Sequence, residues 1–337
     1  MASVDRSRQA SLDALRVAAV FGVVAIHAGF YRSGEPLAFY LDEAGRFAVP
    51  VFFILSAYFW RPELVTTPLH LARRAAGRVW LALVVFLILN TGLAYLLGRD
   101  FTLDLSPAGL LLMVWNGDPV SHYLWFLTAL VVGTLITGLG LRYLGLRASL
   151  LLSLAAYALG CAIGAYGETL LGEEPPIWLF RNGLLFAPLF MLIGVVLRQQ
   201  RDRVERIPFV VLAIAVPLTL ALQIAEGRLL LGRTAFGHDY GLATLPYAVA
   251  MVLLFMRLPI RGQIWIVLGR ASFGAYLVHF PLLMLVDQLG WPLSLAEVIV
   301  DCAAVSLLLA VTYQLIASRF GQPVVTGAPP QTDTIDP

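Results

Sequence analysis

Apolar residues run through this chain in blocks about as long as the ~20 residues a helix needs to cross ~30 Å of hydrocarbon, parted by short polar loops. The stretches 79–97 and 207–225 are apolar nearly all round, whereas a lipid-facing barrel strand would alternate. Hydrophobic residues are 59% of the 337 and charged residues 13%, against about 25% charged in a soluble domain, so hydrocarbon is the natural solvent. The fold class expected is all-α, a polytopic transmembrane helix bundle of about ten helices. The crossings are placed at 12–31, 45–60, 79–97, 123–143, 149–167, 178–197, 207–225, 239–256, 271–289 and 295–317. A single transmembrane domain over 1–320 holds them all. The tail 321–337, rich in Pro, Thr and Asp, is expected to be a disordered cytoplasmic tail.

A net charge of +2 gives no reason to expect nucleic acid as a partner, but the placement of the positive charges is informative. All 23 are arginines. With a cytoplasmic N-terminus, the ten crossings put 17 of them inside and leave six outside: Arg32, Arg46, Arg99, Arg181, Arg228 and Arg233. Positive residues in short loops stay on the cytoplasmic side, so both termini are expected there. Segment 12–31 is read as a retained anchor rather than a cleaved signal, since no clear small-x-small site follows it. Cys161 and Cys302 fall inside predicted helices and are expected as free buried thiols, with no disulfide or metal site.

Polar residues inside such helices are the candidates for chemistry. In the first helix, Asp13, Arg16, Val20, Val23 and His27 share one face. Arg16 and His27 are eleven residues, or about 16 Å, apart along the axis. Arg16 either snorkels to headgroups, paired with Asp13, or lines a wet cavity; His27 is either a hydrogen-bonded interior histidine or a reactive one. Late in the chain, Ser272, Tyr276, His279 and Leu283 recur at intervals of four, three and four. Hydroxyl, phenol and imidazole therefore lie on one face, and Pro281 removes a backbone donor nearby. Interhelical glue is the alternative to a site there. Trp125 and Phe126 suit either an interfacial anchor or a ring platform. The clusters Arg73, Arg74, Arg78 and 198–206 suit headgroups or a polyanion's phosphates.

These stretches resemble the acyltransferase 3 family of membrane-bound acyltransferases. An Arg, ten residues and a His follow a Leu-Asp-x-Leu-Arg opening in the first helix. VPVFFILSAYFW (49–60) is similar to the family's Phe-Phe-x-x-Ser-Gly/Ala-Tyr/Phe segment, with Ala57 where Gly is common. SHYLWFLTAL (121–130) resembles its Leu-Trp-Phe-Leu segment, and ASFGAYLVHFPLL (271–283) its late Ser-x-x-x-Tyr-x-x-His-x-Pro segment. A carboxylate after the Trp motif is missing, which leans toward the shorter members without large extracellular extensions.

The resemblance implies transfer of an acyl group, usually acetyl, from cytoplasmic acyl-coenzyme A to a hydroxyl of an envelope carbohydrate or related acceptor, at a bacterial inner membrane. Acyl-coenzyme A would be a co-substrate, with no cofactor bound permanently. On this reading His27 is the general base and Arg16 positions the donor, with Arg73 and Arg74 near its phosphates. His279 and Tyr276 orient His27, serve the oxyanion or relay a proton. His122, Trp125, Phe126 and Asn116 are the acceptor contacts, near Trp115 and Tyr123. A covalent route through Ser56 or Ser272 ranks second. The rival class is an ion-coupled transporter, which intramembrane Arg, His and Pro would also suit. A fluorescent reporter fused to either terminus is expected to light up, and a phosphatase reporter to stay inactive; the reverse result would invert the topology.

Overall fold

The computed structural model describes residues 2–31, 34–35, 37–60, 67–117, 119–232 and 239–319. No strand occurs among the described residues. Helices of eight residues or more are α1 (Ala2–Tyr31), α2 (Ala38–Gly45), α3 (Ala48–Tyr58), α4 (Pro68–Leu96), α5 (Pro107–Asn116) and α6 (Trp125–Tyr143). They continue as α7 (Gly145–Ile163), α8 (Ala187–Gln199), α9 (Phe209–Ala225), α10 (Thr244–Arg257), α11 (Gln263–Leu289) and α12 (Leu295–Arg319). The expected tail lies outside the described residues.

Seven helices among the described residues are long and apolar enough to cross a membrane, which makes this a multi-pass membrane protein. They correspond to seven of the ten expected crossings. The other three are shorter than the sequence suggested. Segment 45–60 becomes the 11-residue α3, 178–197 becomes an irregular turn before the 13-residue α8, and 239–256 becomes the 14-residue α10. Helices α2 and α5, in stretches read as loops, were not anticipated. A helix packed among other helices need not match the bilayer thickness, and α3 buries Val51, Phe53, Ile54, Leu55 and Ala57 in protein.

The irregular stretch 178–186 shows how backbone without helix survives in this setting. Asn182 donates to the carbonyls of Trp178 (3.2 Å) and Leu179 (2.8 Å), and its Oδ1 accepts from the N–H groups of Leu184 (2.9 Å) and Leu185 (3.0 Å). One amide thus replaces four missing helical partners. The Glu226 carboxylate acts similarly ahead of α10, accepting from the N–H groups of Leu242 (2.6 Å) and Ala243 (2.9 Å) and from the Tyr166 hydroxyl (2.6 Å).

Burial ranks the helices. In α1, 78% of the apolar window is buried, against 17% in the segment Phe209–Leu230, so α1 is the central post and α9 faces outward. Around α1 pack α2, α3, α10, α11 and α12. Close approach depends on small residues: a Cβ at Gly194 of α8 would collide with the carbonyl of Ile54 in α3, whereas Gly77 on α4 has nothing near it. Gly194→Ala is expected to lower stability by about 1–3 kcal/mol through overpacking. Gly77→Ala is expected to be neutral or slightly stabilising. Reversible unfolding in mixed micelles separates the two, and equal shifts would contradict this packing.

Candidate active site

Helices α1 and α11 lie against each other and bring two histidines together. The rings of His27 and His279 are 5.2 Å apart between centroids, tilted by 36°. His279 is fully buried; its Nδ1 bonds to the Tyr276 carbonyl one turn back. A carbonyl only accepts, so Nδ1 carries the proton and Nε2 presents a lone pair, which has no hydrogen-bond partner among the described residues.

Proline chemistry fixes what surrounds the pair. Pro281 has no N–H, so the carbonyl of Leu277, four residues earlier, loses its helical donor. The Tyr123 hydroxyl fills the gap, donating to that carbonyl at 2.9 Å, and itself accepts from Asn90 Nδ2 at 3.1 Å. Asn90 also donates to Ser121 Oγ (3.0 Å), and the Tyr276 hydroxyl donates to the Tyr123 carbonyl. Tyr123 is therefore held at both its hydroxyl and its backbone, with its ring 5.2 Å from His279 and 6.3 Å from His27. Tyr276, proposed from sequence as a participant in proton transfer, has its hydroxyl committed to this scaffold.

His27 is half-buried and lines a cavity of about 700 Å³ together with Tyr31, Arg46, Arg99, His122 and Arg181. The volume is of small-ligand size. Carboxylates stand beside the guanidiniums. Arg46 binds Asp42 through two nitrogens (2.7 to 3.1 Å) and donates to the Asp239 carbonyl at 2.7 Å. Arg181 lies 3.6 Å from the Asp239 carboxylate and over the Trp125 ring at 5.4 Å. Arg99 pairs with Asp287 at 2.5 Å and faces the Tyr31 ring.

The other sequence-selected residues fall in different places. Arg16 is buried away from the cavity, 2.5 Å from Asp13 and 4.9 Å from the Phe59 ring centre; this is the Asp13 pairing weighed as its structural role. Val20 and Val23, both buried, fill the stripe between Arg16 and His27. Arg73 and Arg74 are exposed near the start of α4. Of the four expected acceptor contacts only His122 lines the cavity. Trp125 and Phe126 are packed among Phe53, Phe186 and Tyr276, and Asn116 is fully buried. Ser56 and Ser272, the nucleophiles of the covalent route, bond to carbonyls of their own helices at 2.7 Å. Cys161 and Cys302 are free and buried, as expected.

Sequence reasoning missed Arg46, Asp42, Arg181 and Asp239. The LDEAGR run at 41–46, three charges beside an apolar block, carried a signal for the first two; a lone Arg181 in IWLFRNG carried little.

Residues 9–317 match the acyltransferase 3 family, described as an acyltransferase domain. The chain belongs to that family. As a family member it is similar to the serine/alanine racemase of Enterococcus gallinarum, 27% identical over 296 residues that cover 80% of this chain and 40% of that protein. It is also similar to an amino-acid racemase of Enterococcus faecalis, 28% identical over 211 residues covering 56% and 29% of the two chains. The aligned stretches span less than half of each relative. No solved structure matches.

Family membership supports membrane acyl transfer in general, and the Tyr123 bond gives a test of the scaffold itself. Tyr123→Phe is expected to cost about 1–3 kcal/mol by leaving the Leu277 carbonyl bare. With Pro281→Ala, the restored backbone N–H serves that carbonyl and the penalty should shrink. A double-mutant cycle showing no coupling would reject this account.

Proposed function

We propose that this protein moves an acyl group, acetyl foremost, from acyl-coenzyme A to a hydroxyl of an envelope carbohydrate or related acceptor in a bacterial cytoplasmic membrane. The observation that carries this reading is His27, half-buried on a largely apolar cavity that also holds Arg46, Arg99 and Arg181, and backed by a second imidazole 5.2 Å away. A small rotation lets His27 donate one N–H to His279 Nε2, leaving its other nitrogen as the base. That nitrogen takes the proton of the acceptor hydroxyl as the oxygen attacks the thioester carbonyl carbon. The C–S bond breaks, the thiolate of coenzyme A leaves and takes up the proton, and an ester remains on the acceptor. An imidazole suits this because one ring nitrogen can accept a proton while the other donates a hydrogen bond.

Arg16, with Arg73 and Arg74 at the same end of the bundle, is assigned to the donor. Arg16, paired with Asp13, is assigned to positioning the thioester arm, and the exposed guanidiniums of Arg73 and Arg74 to the phosphate oxygens. For the thioester arm to reach His27 along α1, Val20 and Val23 must part, so donor entry is coupled to a shift of packed side chains. His122 is kept as an acceptor contact because it lines the cavity.

A second reading has one observation in its favour. A cavity with His27 on its wall and a valine-filled stripe beyond it also describes a carrier closed on one side, and Pro217 and Pro281 interrupt helices α9 and α11. Thiol release from acetyl-coenzyme A by purified protein with envelope glycans separates the two, because a carrier releases none. His27→Ala is expected to lose about 100-fold or more in rate while inserting normally. Arg16→Ala is expected to raise KM for the donor more than it lowers kcat. Wild-type turnover by the His27 variant would remove the base assignment.

A further inference from the structure

The cavity around His27 has a charge pattern that bears on which acceptors it admits, and the reading that follows rests on the acyl-transfer proposal for its chemistry alone. Each of its three arginines already stands against a carboxylate: Arg46 with Asp42, Arg181 with Asp239, and Arg99 with Asp287. Asp239 is shared, lying 3.6 Å from both Arg46 and Arg181. Whereas the Arg99 and Asp287 side chains are 31% and 30% exposed, those of Arg46 and Arg181 are 11% and 13% exposed and Asp42 2%, far from bulk water. Screening by salt is weak at such sites, so the matched charges persist.

At the rim the balance tips further. Asp100 and Glu174 line the cavity and are exposed. Among the described residues the lining holds four carboxylates against three guanidiniums. An anionic ligand therefore passes exposed carboxylates on entry and finds each guanidinium within ion-pair distance of a carboxylate, while Arg181 Nε and Asp239 Oδ2, which lack a hydrogen-bond partner among the described residues, offer a donor and an acceptor to a neutral hydroxyl. Displacing the buried partner Asp42 would leave that carboxylate uncompensated.

A ligand that both donates and accepts hydrogen bonds without net charge meets the opposite situation. Arg–Asp pairs set guanidinium donors next to carboxylate acceptors at fixed spacing, and a polyol hydroxyl uses one of each. Rigidity comes from the turn at 178–186, where the four hydrogen bonds of Asn182 fix the backbone beside Arg181, and from the Trp125 ring beneath its guanidinium.

We propose that the cavity binds an uncharged, hydroxyl-rich acceptor of one or two sugar units, held by the Arg46–Asp239–Arg181 array, and discriminates against carboxylate-bearing acceptors. The cavity volume of about 700 Å³ limits what is enclosed to that size. Longer glycans enter by a terminal unit. Arg181 and Asp239 are the acceptor-binding residues that set this selectivity.

The test uses the full chain in nanodiscs at fixed ionic strength, with methyl glucoside and methyl glucuronoside as a neutral and an anionic probe of one shape. Calorimetric binding and thiol release from acetyl-coenzyme A are followed in parallel. The neutral probe is expected to bind about tenfold more tightly than the uronoside, a ratio that one mismatched charge readily produces. Asp239→Asn, which leaves two guanidiniums to one fewer carboxylate, is expected to bring the ratio near or below one. Should that variant fail to fold, Asp100→Asn at the exposed rim is expected to improve uronoside binding about two- to threefold while leaving the neutral probe unchanged. Neutral-probe binding without thiol release would support the cavity assignment and fail the transfer reading. Equal affinities in the wild type, no binding of either probe, or an unchanged ratio in both variants would overturn the proposal.

Discussion

A carbonyl without a backbone donor holds the centre of this bundle together. Pro281 interrupts the hydrogen-bond ladder of α11 where no water from the bilayer core can repair it, and a bare carbonyl there costs about 1–3 kcal/mol. Tyr123 crosses from the segment before α6 to meet that carbonyl, Asn90 of α4 reaches the same hydroxyl, and Tyr276 of α11 answers with a bond to the Tyr123 backbone. Three elements distant in sequence are locked by one missing N–H. The imidazole of His279 is carried on the locked turn, so the proline both creates the defect and fixes the residue that stands behind His27.

The same rule shapes the cavity wall. Irregular backbone at membrane depth is tolerated where it lines a cavity and its polar groups are met internally. The turn carrying Arg181 fits that description through Asn182, and the start of α10 does so through Glu226. Charges deep in the protein are paired, as Arg16 with Asp13 and Arg46 with Asp42, or hydrogen-bonded, as Glu226 is, for the same reason, since an unmatched guanidinium or carboxylate there is far more costly than a matched one. Paired charges place ionic groups in an otherwise largely apolar cavity without making it a strong trap for either sign.

Arg16 and His27 illustrate how far motif and geometry can part. Spacing on one helix face is real, and both residues are on the inner side of α1, but Val20 and Val23 lie packed between them. Under the proposed acyl transfer, that packed stripe lies between the donor end and the acceptor end. The relatives named as racemases extend well beyond the region they share with this chain, and racemisation is named of those proteins.

By itself, the sequence determined the solvent, the helical class, the seven long crossings and the two histidine-bearing faces, because length, apolarity and 3.6-residue periodicity are local properties. It overextended α3, α8 and α10, since an apolar run reads alike whether it spans lipid or ends inside protein. Trp125 and Phe126 were legible as aromatic but not as core, and the Arg46, Asp42, Arg181 and Asp239 array was barely legible at all. Those outcomes belong to tertiary structure: apart from the local Arg46–Asp42 pair, which carboxylate meets which guanidinium, and which ring meets a cavity, depends on residues distant in sequence being brought within a few ångströms, as Arg181 and Asp239 or Arg46 and Asp239 are.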